Sequence, residues 1–146
     1  FVFQLRLMPD GGWLLLFVMA ITFSADTGAY FAGRFLGRHK LYPAVSPKKT
    51  IEGAVGGMLA AVGVAFACQA QFPGLQQLST VDCIVLGVGG SIFAIVGDLV
   101  ESLMKRAFKV KDSGTLIPGH GGVLDRIDGL LFCGPFVAIY LGLMSL

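Results

Sequence analysis

The chain has 146 residues, 55% of them hydrophobic and 14% charged, with a mean hydropathy of +0.78 and a formal net charge of +2. That balance excludes an ordinary soluble domain and describes an integral membrane protein. Three cysteines, Cys68, Cys83 and Cys133, lie in or beside apolar runs without a C-x-x-C pair, so they read as small apolar helix residues rather than a disulfide framework or a zinc site.

The chain opens on Phe1 with no basic n-region, apolar h-region or small-residue cleavage site, so no signal peptide is visible, and it reads as part of a longer protein. Four apolar stretches then approach the ~20 residues that a helix needs to cross the hydrocarbon core. They run roughly from Trp13 to Gly33, Ala54 to Ala70, Val81 to Val100 and Gly129 to Leu146. The third contains "LGVGGS", which in a membrane permits close helix packing more often than it breaks the helix. The expected fold is all-α: a polytopic transmembrane bundle of about four spanning helices with cytoplasmic polar loops.

The connections differ sharply in charge. Arg34 to Thr50 holds five Lys or Arg, Glu101 to Asp128 holds five more, "QAQFPGLQQLST" holds none and the N-terminal flank only Arg6. By the positive-inside rule the two basic segments are cytoplasmic and both ends of the chain face the other side. Glu52, Asp98, Glu101, Asp112, Asp125 and Asp128 lie in or beside the same layer, with Asp26 in the cytoplasmic half of the first span. Carboxylates at membrane depth are costly, so Asp26 and Asp98 are candidates for a site; the plainer reading is that they pair with arginines to hold helices together.

Helical spacing places Asp98, Glu101, Ser102 and Lys105 on one face at the end of the third span. Asp125 and Asp128, three apart, share a face at the start of the fourth. Two helix ends that aim carboxylates at one point, without a histidine or cysteine cluster, suit magnesium, which takes one or two carboxylates plus water and substrate phosphates. Lys48, Lys49, Lys105, Arg106, Lys109, Lys111 and Arg126 supply cations in the same layer, and "PGHGG" supplies backbone N–H groups able to cradle an anion. No P-loop pattern occurs. Lysines at a cytoplasmic membrane edge also serve as topology charges or contacts to anionic lipid, the plain reading for Lys109.

The segment "SLMKRAFKVKDSGTLIPGHGGVLDRID", Ser102 to Asp128, resembles the signature of phosphatidate cytidylyltransferases, the CDP-diacylglycerol synthases: S-x-x-K-R-x-x-x-x-K-D-x-G-x-x-x-P-G-H-G-G-x-x-D-R-x-D. "ADTGAYFAGRFLGRHKLYPAVSPKKTIEG" and "GDLVES" are similar to other cytoplasmic segments of that family, with His39 where lysine is common. The resemblance covers nearly the whole chain and implies that residues 1–146 are the C-terminal catalytic membrane part of such an enzyme, whose N-terminal membrane helices precede it. It implies transfer of the cytidylyl group of CTP to phosphatidic acid with magnesium, leaving room for a second cation and for a homodimer, in a bacterial inner membrane with the active site facing the cytoplasm. No nucleic-acid partner is expected.

By the same resemblance Asp98 and Asp125 are the leading metal ligands, with Asp128 a third ligand or a group that orients them, and Lys111 and His120 act at the reacting centre, His120 as a phosphate-positioning group. Ser46, Lys48, Lys49 and Thr50 bind phosphates of nucleotide or lipid. Ser102, Lys105, Arg106, Asp112 and Arg126 complete the substrate site, Arg126 with an equal claim to orienting the aspartates. Two rival readings are a CTP enzyme acting on another lipid phosphate or a polyprenyl acceptor, and a cation or phosphate transporter. The second predicts polar residues near the bilayer midplane in two related repeats, whereas these crowd one face and no internal repeat is visible.

Overall fold

The computed structural model describes residues 1–110 and 124–144, and of Asp125 and Arg126 the backbone alone. After a short helix α1 (Val2–Leu7), four long helices follow: α2 (Gly11–Phe35), α3 (Ile51–Gln71), α4 (Thr80–Ala107) and α5 (Leu124–Met144). All four are long and apolar enough to cross a membrane. Their outward faces carry Leu16, Met19, Phe23, Leu59, Ile92, Leu131, Ile139 and Leu143, all exposed, which suits hydrocarbon and not water. The chain is an integral membrane protein, and the expected helical bundle is its fold.

The helices outrun the apolar stretches for local reasons. α4 has 28 residues, so at 1.5 Å per residue it is about 42 Å long and exceeds a ~30 Å hydrocarbon core. It continues past Val100 because "ESLMKRA" consists mostly of strong helix formers. It stops in a Schellman arrangement. Lys109 takes a left-handed φ of 54°, its N–H donates to the Arg106 carbonyl at 3.0 Å, and the Val110 N–H donates to the Lys105 carbonyl at 2.9 Å. α4 starts in a capping box of Ser79 and Asp82, and α3 starts at Ile51 because the Thr50 hydroxyl accepts the Gly53 N–H at 3.1 Å.

Two elements go beyond the expected loops. Between α2 and α3 the basic connection forms an antiparallel hairpin, β1 (Lys40–Tyr42) and β2 (Ser46–Thr50), with Lys40 opposite Thr50, Tyr42 opposite Ser46 and an irregularity between. Between α3 and α4 a short 3-10 turn spans Pro73–Leu75, with Gly74 and Leu75 buried and Gly74 against Trp13, which stacks on Phe72 at 4.9 Å.

Consecutive spans run antiparallel and pack as neighbours, while α2 also touches α4 and α5. The α2–α3 seam is made of small residues. A Cβ on Gly57 would stand 2.7 Å from the Ala25 carbonyl oxygen, and one on Gly28 would stand 2.8 Å from that of Gly56, so the two backbones meet only because both positions are glycine. The fully buried apolar core, including Phe17 and Ile21 of α2, Cys83 and Leu86 of α4, and Cys133 and Val137 of α5, fills the bundle toward the end where α1 lies. All three cysteines are free and buried, in keeping with the small-apolar reading. Asp82 belongs to this end and is structural: besides its cap role it accepts the Tyr140 hydroxyl at 2.7 Å, tying α4 to α5.

Candidate active site

At the opposite end the C-termini of α2 and α4 meet the N-termini of α3 and α5, and the hairpin lies against them. Its placement is fixed on two sides. Arg106 Nε of α4 donates to the Val45 carbonyl at 2.6 Å. The His39 N–H donates to both carboxylate oxygens of Glu52 in α3 at 3.2 Å, and His39 Nδ1 stands 2.7 Å from Glu52 Oε1. With both edges held, β2 brings exposed Lys48, half-buried Lys49 and buried Thr50 to this end.

There they line a cavity of about 410 Å³ together with Asp26, Tyr30 and Arg34 of α2 and Asp98 of α4. Lys49 Nζ is 2.6 Å from Asp98 Oδ2, with the two side chains 23% and 38% exposed, so the pair is partly shielded yet open to the cavity. Ser102 Oγ donates to the other Asp98 oxygen at 3.3 Å, and one turn away Lys105 Nζ pairs with buried Glu101 at 3.3 Å. The polar face expected on α4 is therefore realised as two i,i+4 pairs.

α5 joins the site through a close approach. A Cβ on Gly97 would stand 2.5 Å from the Asp128 carbonyl oxygen, so glycine beside Asp98 is what admits the start of α5. Asp128 Oδ1 accepts the Gly129 N–H at 2.7 Å. Asp26 lies within electrostatic reach of Asp128, Asp98 and Lys49. Of these carboxylates Asp98 pairs directly with Lys49, and Asp26 of α2 and Asp128 of α5 stand near enough to feel the same charges. An all-oxygen donor set suits a hard cation. Among the described residues, however, no three Asp, Glu, His or Cys side chains stand close enough to share one metal ion, and the cation against Asp98 is the Lys49 ammonium.

Of the residues picked from the sequence, Lys48, Lys49, Thr50 and Asp98 line the cavity, Asp128 adjoins it and Ser102 supports Asp98. Thr50 is also a buried helix cap. Lys105 faces Glu101, Arg106 holds the hairpin, and Ser46 sits at the hairpin's start outside the lining. Lys111, Asp112 and His120, with the side chains of Asp125 and Arg126, lie outside the described residues. Asp26 belongs with the site: it lines the cavity and lies within electrostatic reach of Lys49, Asp98 and Asp128. Sequence reasoning passed over Tyr30 and missed Arg34 as a cavity residue, although Asp26, Tyr30 and Arg34 follow one another at i,i+4. Arg34 Nη1 donates to the Tyr30 hydroxyl at 2.7 Å, and its guanidinium lies 6.0 Å over that ring.

A bundle of apolar spans that gathers lysines and carboxylates into a cavity at one end defines an integral membrane protein with a charged site at one end of its spans. The model of the Cytidylyltransferase family matches residues 1–144. Similar proteins named phosphatidate cytidylyltransferase include that of Bacillus subtilis (strain 168), 43% identical over 90% of this chain and 48% of its own length, and that of Staphylococcus epidermidis (strain ATCC 12228 / FDA PCI 1200), 44% identical over 97% and 54%. The chain spans about half the length of these relatives. A solved intramembrane enzyme for archaeal membrane lipid biosynthesis has a similar fold, with a TM-score of 0.62 over 88% of this chain and 77% of that one at 22% identity. The chain belongs to the Cytidylyltransferase family, as its resemblance over Ser102 to Asp128 implies.

Proposed function

We propose that this chain is the catalytic membrane part of a phosphatidate cytidylyltransferase, which joins CTP to phosphatidic acid to give CDP-diacylglycerol and pyrophosphate. Family membership and the names of the relatives support the reaction class. The observation that carries it to this cavity is the Lys49–Asp98 pair, set among further lysines and carboxylates at the end of an apolar bundle. A lipid substrate arrives from the hydrocarbon with its phosphate at that level, and a nucleotide arrives from water.

In the proposed reaction a phosphate oxygen of the lipid attacks the α-phosphorus of CTP, a new P–O bond forms, and the bond to the β-phosphate oxygen breaks in line to release pyrophosphate. A phosphomonoester has a second pKa near ~6, so the nucleophile is largely ionised and no strong base is needed. Lys48 and Lys49 neutralise phosphate charge, with Arg34 and its Tyr30 partner at the rim of the cavity. Lys105, Arg106, Lys111, Asp112 and His120 belong to the nucleotide side in this reading. Asp98, Asp125 and Asp128 would hold magnesium, which when bound supplies charge neutralisation at the α-phosphate and at the departing pyrophosphate. That ten of the eleven lysines and arginines fall in the two basic segments of the sequence, Arg34 to Thr50 and Glu101 to Asp128, supports an active site facing the cytoplasm, in a bacterial inner membrane.

The test is pyrophosphate release by the full-length protein as a function of nucleotide and lipid. Release that requires both CTP and phosphatidic acid is expected. Faster release with a polyprenyl phosphate, or release independent of lipid, refutes the choice of acceptor.

A further inference from the structure

A second cavity, of about 430 Å³, lies between α4 and α5 and is walled by Phe93, Leu131, Phe132, Pro135, Phe136 and Ile139. Its composition is wholly apolar, and Phe93, Leu131 and Ile139 are 39%, 47% and 52% exposed, so it opens outward, to lipid. Its floor is built, since the Phe136 ring packs where a Cβ on Gly89 would stand and stacks on Phe93 at 4.8 Å and 18°. Its upper end adjoins the candidate active site. A Cβ on Gly97 would meet both the Asp128 carbonyl and the Phe132 ring, and Asp128, Leu131, Phe132, Pro135 and Ile139 form one continuous i, i+3, i+4, i+7, i+11 stripe of α5.

We propose that this groove seats one acyl chain of the lipid substrate whose phosphate is at the Lys49–Asp98 cavity. The proposal rests on the reading under Proposed function and names the part of the site that selects chain length. Two features identify the occupant. The groove leads away from the carboxylates along α5 without a polar group, as a phosphate ester continued by hydrocarbon requires. On α5 the groove runs from Leu131 to Ile139, about 12 Å at 1.5 Å per residue, and its far end lies about 16 Å along the helix from Asp128, half of a ~30 Å hydrocarbon core and so the depth of one leaflet. A polar ligand gains nothing there, and a chain from the opposite leaflet would not have its phosphate at the Lys49–Asp98 cavity.

The experiment uses the full-length protein in phosphatidylcholine vesicles, irradiated with phosphatidic acid carrying a diazirine at the end of one chain. Label is expected on α5 around Pro135 to Ile139, displaced by excess phosphatidic acid and not by phosphatidylcholine. Label confined to other helices means that another segment covers the groove, and equal labelling by a diazirine phosphatidylcholine means ordinary lipid contact; either overturns the proposal. Kinetics supply a ruler. Ile139→Trp, deep in the groove, should raise KM for dipalmitoyl phosphatidic acid about tenfold, within the discrimination a few methylenes provide, and leave dioctanoyl phosphatidic acid and CTP unchanged. Leu131→Trp, one turn from Asp128, should raise KM for both lipids. Equal effects of Ile139→Trp on the two lipids contradict the groove. An inactive wild type refutes the cytidylyltransferase reading instead, and the labelling result then decides the groove by itself.

Discussion

Lys49 and Asp98 are carried by a hairpin strand and by a helix that starts thirty residues later, yet their charged atoms meet at 2.6 Å. Lys48 lines the same cavity but is the more exposed neighbour. The pair of lysines, equivalent in sequence, is therefore unequal in space. Lys49→Ala should lower kcat/KM by on the order of 100-fold and Lys48→Ala by about tenfold, since ~2.7 and ~1.4 kcal/mol of charge stabilisation correspond to those factors. Steady-state kinetics of the full-length protein measure both, and equal losses would contradict the assignment. Lys49→Arg should not restore activity, because a planar fork does not replace a compact ammonium between a carboxylate and a phosphate. Asp26 and Asp98 were legible from the cost of charge at membrane depth, and Lys48 and Lys49 from the basic cluster and the resemblance of "SPKKT". Which lysine meets which aspartate was not, because the pairing is set by where the hairpin folds, and Arg34 was read only as a topology charge.

The four spans were legible because some twenty apolar residues permit little else in a membrane. Their ends were less so: α4 runs on through "ESLMKRA" by helix propensity, where hydropathy falls and the apolar signal stops. The hairpin was invisible because "SPKKT" has neither alternation nor β-branched runs, and its two strands are held by Arg106 and Glu52 from other elements. Two predictions belong at this scale. Lys109 ends α4 in a left-handed conformation that costs an ordinary residue about 1 kcal/mol, so Lys109→Gly should raise the unfolding midpoint of the detergent-solubilised protein. A lowered midpoint would show that the lysine side chain contributes more than its strain. Gly57→Leu places a side chain against the Ala25 carbonyl and should destabilise by roughly 1–3 kcal/mol through overpacking of the α2–α3 seam. An unchanged midpoint for that variant would mean the two helices separate without penalty.

The whole molecule divides into an apolar half, closed by Trp13 on Phe72 and by Tyr140 on Asp82, and a charged half around the cavity. This polarity follows from the sequence through the distribution of lysine and arginine, and it predicts sidedness. Single cysteines at Gln76 and at Lys109, in a background without Cys68, Cys83 and Cys133, should react with impermeant reagents from opposite faces of the membrane; reaction from one face overturns the four-span topology. The central claim is that cytidylyl transfer takes place in the cavity that Asp98 shares with Lys49. Its most direct measurement is CDP-diacylglycerol formation from labelled CTP by the full-length protein and by Asp98→Asn, which keeps the side-chain shape and removes the charge. The account predicts a fall in kcat of on the order of 100-fold or more, about 3 kcal/mol of lost charge stabilisation, with the unfolding midpoint little changed. A folded Asp98→Asn protein that makes CDP-diacylglycerol at the wild-type rate would place the chemistry elsewhere.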